Sequence, residues 1–131
     1  MLTDFRPMKT QFDHEKLNVY QDAIGFVSWV DELLEGIPKS LAVYNQLDRT
    51  STSIPLNIAE GNGSYTEADR YRFFDIARGS ALECTACLDL LIAKTRMDSA
   101  ESGKARRMKG RGITITSRIT NMSRNDGVSQ C

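Results

Sequence analysis

Nine basic residues crowd the last third of this 131-residue chain: Lys94, Arg96, Lys104, Arg106, Arg107, Lys109, Arg111, Arg118 and Arg124. Only Asp98, Glu101 and Asp126 oppose them there, whereas residues 1–93 carry eight Lys/Arg against fourteen Asp/Glu. The two halves cancel to a formal net charge of zero. On a helix Lys104, Arg107 and Arg111 share one face, being three or four residues apart. Such a face suits phosphates, whose oxygens Arg and Lys engage without reading sequence. Lys104, Arg106, Arg107, Lys109, Arg111 and Arg118 are therefore the candidate nucleic-acid contacts. The rival use of the same charges is a solvated face, or one that lies against acidic surface. RNA modules stack bases on exposed aromatics. The basic segment has no aromatic residue, so base-specific readout is not expected of it.

Other chemistry is sparse. His14 is the single histidine and has no carboxylate three residues before it, so the Glu-x-x-His pairs of di-iron bundles do not occur. Ser53 and Ser80 lack a histidine base that would make either a nucleophile. Cys84 and Cys87 form a CxxC inside a helical pattern beside Leu88 and Leu91, where core packing is preferred over zinc or redox chemistry. Glu60 and Glu83 could face each other as a glycosidase or metal pair would. Holding Arg49 or Arg78 and fixing helix ends explains them as well. No glycine loop fits a phosphate-binding pattern. Neither an enzyme nor a cofactor is expected.

Positioning these residues falls to helices. Asp13 to Leu34 predicts a first helix with two adjacent apolar stripes. One is Leu17, Tyr20, Ile24, Val27 and Leu34; the other is Val19, Ala23, Phe26, Val30 and Leu33. A face that broad suits more than one neighbour, and Trp29 at its margin suits packing between protomers. Gly36 and Pro38 end the element. The second helix is expected from Ser40 to Ala59, with Pro55 kinking its end and Gly61-Asn62-Gly63 breaking it. Thr66-Glu67-Ala68-Asp69 reads as a cap and acidic first turn. A third helix follows from Glu67 to Ala93, with Phe74, Ala77, Ala81, Cys84, Leu88 and Leu91 as its seam. Small residues at Gly79, Ser80, Ala81, Thr85 and Ala86 allow close approach of a partner helix. Met108, Gly112, Ile115, Ile119 and Met122 predict a fourth helix from Asp98 to Ser123, although Gly103, Gly110, Gly112 and the Ile113–Thr116 run weaken it by propensity.

The run SIPLNIAEGNGS (residues 53–64), followed by YRFFDIARGSALE (71–83), resembles the 23S rRNA-intervening-sequence proteins, with diversity-generating-retroelement accessory proteins similar to them. The resemblance spans Phe12 to Lys94. It implies a four-helix protomer in a ring-shaped homo-oligomer, most simply a pentamer, without established catalysis. It also implies an RNA or DNA partner, or a protein such as a reverse transcriptase. The motif residues Arg49, Ser53, Pro55, Asn57, Glu60, Gly61, Arg78, Gly79, Ser80 and Glu83 are read as structural, with Asn57 and Glu60 substantially buried and hydrogen-bonded.

The composition, 40% hydrophobic and 26% charged, is that of an ordinary globular domain. No apolar run approaches the roughly 20 residues that span a bilayer, and MLTDFRPMKTQ lacks a secretory apolar core, so a cytoplasmic protein is expected. The fold expected is an all-α, up-down antiparallel four-helix bundle over residues 13–124, with a leader at 1–12 and a disordered tail at 125–131. The function expected is a non-enzymatic oligomeric accessory protein that binds nucleic-acid phosphates. Its alternative is a structural interaction scaffold whose basic segment docks on acidic surface.

Overall fold

The computed structural model describes residues 14–95 and 97–129, with backbone only for 14–15 and 123–129. The leader, Arg96, the side chains of His14 and Arg124, and residues 130–131 lie outside the described residues. Four helices follow one another: α1 (His14–Leu34), α2 (Ala42–Gly63), α3 (Glu67–Thr95) and α4 (Ser99–Ser129). No helix among the described residues is long and apolar enough to cross a membrane. Each helix packs on the next in sequence, and α1 also packs on α4. Contacts between α2 and α3 run in opposite order, Thr50 with Glu83 and Ser53 with Ser80. Those between α1 and α4 do the same, Glu32 with Lys104 and Asp22 with Arg118. Both pairs are therefore antiparallel.

Of the two apolar stripes on α1, the second enters the core. Val19, Ala23, Phe26, Val30 and Leu33 are buried, as is Leu34, while Ile24 of the first stripe is 47% exposed. The expected seam of α3 is buried throughout, Cys84 included. Its start is capped as the sequence predicts, with the Asp69 N–H donating to Thr66 Oγ1 at 3.1 Å.

Two boundaries differ from expectation. α2 runs unbroken through Pro55 and past Gly61 to Gly63. Gly61 is no helix stop: it is buried, and a Cβ there would lie 2.6 Å from Phe74 Cε1 and 3.1 Å from the Arg70 carbonyl oxygen. The glycine is needed for close helix approach. α4 continues to Ser129, although Asn125-Asp126-Gly127 reads as a tail. Extending a formed helix adds one bond per residue fixed, so weak propensity alone does not end it.

The glycine-rich, β-branched α4 holds its expected heptad, with Met108, Gly112, Ile115, Ile119 and Met122 all buried. Its entry is capped by Asp98, whose Oδ1 accepts the Glu101 N–H at 2.8 Å. Thr114, Thr116 and Thr120 donate back to the carbonyls of Gly110, Gly112 and Thr116, so their hydroxyls stay satisfied within the helix. Gly112 lets α4 settle closely. A Cβ there would meet Thr85 Cγ2 at 3.1 Å and Phe26 Cζ at 3.6 Å.

Candidate nucleic-acid interface

Spacings of three, four and seven residues place Lys104, Arg107, Arg111 and Arg118 along one flank of α4. That flank faces α1, which offers Asp22, Trp29 and Glu32 in reverse order. Lys104 Nζ lies 3.5 Å from Glu32 Oε1, and Arg118 pairs with Asp22. Between these two ties, the Arg111 guanidinium carbon sits 4.2 Å from the centroid of the Trp29 ring, a cation–π contact. A cleft of about 260 Å³ opens there, lined by Trp29, Lys104, Arg107, Met108 and Arg111. A smaller one of about 80 Å³ continues towards Arg118.

The six candidate basic residues thus divide. Lys104, Arg107, Arg111 and Arg118 come together; Lys109 sits on the opposite flank, 2.9 Å from Asp89 of α3, and Arg106 is exposed outside both clefts. Arg106, Arg107 and Arg111 are exposed and form no ion pair among the described residues. All three ion-paired bases are partners of partly exposed acids, and exposed pairs contribute only about 0–1 kcal/mol each and weaken with salt. A phosphate can compete for such bases at modest cost.

Trp29 is the residue that the sequence alone does not bring to this site, because the basic segment has no aromatic residue of its own. The aromatic is supplied by α1 instead. No spacing in the sequence signals this: Asp22, Trp29 and Glu32 meet Arg118, Arg111 and Lys104 only through the antiparallel α1–α4 register.

The model of the 23S rRNA-intervening sequence protein family matches residues 15–111. The chain belongs to this family. The family match takes in α1 to α3 and ends within α4 at Arg111, so it includes every residue lining the larger cleft and leaves out Arg118. The chain is also similar to a crystal structure from Bacteroides thetaiotaomicron, a protein with unknown function from the S23 ribosomal protein family. The TM-score is 0.75 at 20% identity, over 84% of this chain and 98% of that one, a likeness of fold. No curated protein matches.

In this member of the 23S rRNA-intervening sequence protein family, the motif residues build a polar seam between α2 and α3. The Ser53 and Ser80 hydroxyls share a 2.9 Å hydrogen bond, and Asn57 Nδ2 donates to the Ser53 carbonyl and hydroxyl. Glu83 accepts from Thr50 Oγ1 at 3.3 Å and from Gln46, to which Arg49 donates in turn. The expected carboxylate–arginine clasp is replaced by this arrangement. Arg78 instead pairs with Asp75 on its own helix at 2.8 Å. Glu60 is exposed, against the expectation that it is substantially buried, whereas Asn57 is mostly buried and hydrogen-bonded as expected. The buried positions Ile54, Ile58 and Gly61 set the inward face of α2, and Glu60 is turned about 200° from Ile58. Glu60 and Glu83 therefore form no pair. Gly79 is exposed and a Cβ there would meet nothing within 4 Å, so it serves no close contact inside the protomer.

Among the described residues no group of three or more His, Cys, Asp or Glu is placed to hold a metal ion. Burial pushes the Cys84 thiol up strongly, helped by neighbouring Cys87 and Glu83, and burial raises Cys87 as well. Both stay protonated at neutral pH, which makes them poor nucleophiles and poor ligands.

Proposed function

We propose that this protein is a non-catalytic, self-associating helical accessory protein of the cytoplasm that binds the phosphate backbone of RNA or DNA along α4. The observation that carries the reading is the α1–α4 cleft, where Arg107 and Arg111 stand without carboxylate partners beside Lys104. Their charge is available to a polyanion, and its binding would release counterions. The names of the family and of its structural relative support ribosomal RNA as the partner class to test first.

Self-association draws support from the outer half of α3. Ile76, Leu82 and Leu90 are each 41–48% exposed, with small Gly79 and Ala86 exposed among them. Ile24 of α1 is 47% exposed as well. The up-down course of the bundle and a pentameric ring belong to the same proposal, as does docking of a reverse transcriptase on that ring. Ring symmetry would multiply weak phosphate contacts.

A second reading rests on the three ion pairs between helices. In it, α4 uses Lys104, Lys109 and Arg118 to dock on its own protomer's acidic α1 and α3, and the protein is a scaffold. Sedimentation of the protein with a labelled single-stranded RNA at low salt separates the two. The expected result is a homo-oligomer that carries the RNA with it. An oligomer that leaves the RNA at its free position favours the scaffold, and a monomer removes the self-association claim.

A further inference from the structure

We infer that the Trp29 cleft receives one unstacked base of a single-stranded nucleic acid, making the protein selective for single strands over duplexes. The inference rests on the phosphate-binding reading above and adds what occupies the space between the charges. Two guanidinium groups and an ammonium alone would make a duplex-tolerant, purely electrostatic patch. Here they surround a half-buried indole, with the side chain of buried Met108 in the lining.

At about 260 Å³ the cleft falls below the roughly 300–1,000 Å³ of pockets that enclose drug-sized ligands. It suits one planar ring, with the attached phosphates remaining outside. Bases stack on aromatic faces and on arginine guanidinium planes alike, and both surfaces are present where Arg111 lies 4.2 Å from Trp29. Arg111 has no carboxylate holding it, so it can shift across the ring as the base enters. Arg107 lines the same cleft without a carboxylate partner among the described residues, and Lys104 beside it is held by a partly exposed pair with Glu32 that a flanking phosphate can displace. A base inside a duplex is already stacked and paired, and reaching this cleft would require its extrusion.

Trp29 is the chain's only tryptophan, so its emission reports on this site alone. The full-length protein is titrated with a uridine homopolymer, with a duplex of equal length, and with polyglutamate. Emission should be quenched by the homopolymer and left unchanged by the duplex and by polyglutamate. Trp29→Ala should weaken single-strand binding about 5- to 150-fold, the span expected for loss of one base–aromatic stack. Duplex binding should be unaffected, and Trp29→Phe should keep most of the single-strand affinity.

Equal loss on both nucleic acids, or binding without quenching, overturns base capture while phosphate binding stands. Quenching by polyglutamate as strong as by the homopolymer makes the cleft a dock for acidic protein and overturns the inference. Dissociation of the oligomer by both Trp29 variants assigns the indole to a subunit contact and likewise overturns it. Failure of the parent protein to bind either nucleic acid removes the phosphate reading, and base capture with it.

Discussion

Phe26→Ala is expected to destabilise the protein by about 3–5 kcal/mol, the range for truncating a fully buried aromatic. Phe26 is completely buried on α1, and its ring is the surface that Gly112 of α4 approaches. Removing it leaves a cavity at the joint that sets the α1–α4 register, three residues from Trp29. The denaturant midpoint should fall without a matching change in slope. A loss below about 0.5 kcal/mol, the scale of surface substitutions, would mean that α4 does not dock on α1 as described.

Gly61→Val should cost about 3 kcal/mol, through overpacking and not through lost contacts. The first added carbon already falls 2.6–2.7 Å from the buried Phe74 ring and 3.1 Å from a backbone oxygen of α3. Neither neighbour can swing away into solvent. Gly61→Ala should cost less, since alanine regains up to about 1 kcal/mol of helix propensity. Combining Gly61→Val with Phe74→Leu should lose less than the sum of the two single changes, because the clash is shared. Strict additivity in that double-mutant cycle would place the strain elsewhere.

The parts of this fold legible in the sequence are those where one period leaves one choice. The α3 seam from Phe74 to Leu91 is apolar on a single face, and all of it is buried. The α4 heptad was equally readable despite its glycines, because burial of Met108, Ile115 and Ile119 outweighs local propensity. On α1 the pattern was ambiguous. Both stripes are apolar, and only the neighbouring helices decide that Phe26 goes in and Ile24 stays partly out. Gly61 reads by residue type as a stop, whereas its role depends on Phe74 thirteen positions later. The cleft was beyond sequence reasoning for the same reason. Lys104, Arg107 and Arg111 could be put on one face, but Trp29 joins them only through the α1–α4 register.

The phosphate-binding cleft is tested most directly by single-strand RNA affinity as a function of salt for the parent protein and for K104Q/R107Q/R111Q, with oligomer size followed in the same samples. Each phosphate contact on a single strand contributes a log–log slope of about −0.7. The parent plot should therefore be steeper than the variant's by about two units per binding cleft engaged, and the variant should keep its fold and assembly. Equal slopes, or a variant that binds RNA as before but falls apart into monomers, would contradict a phosphate-binding cleft and leave α4 as a structural clasp.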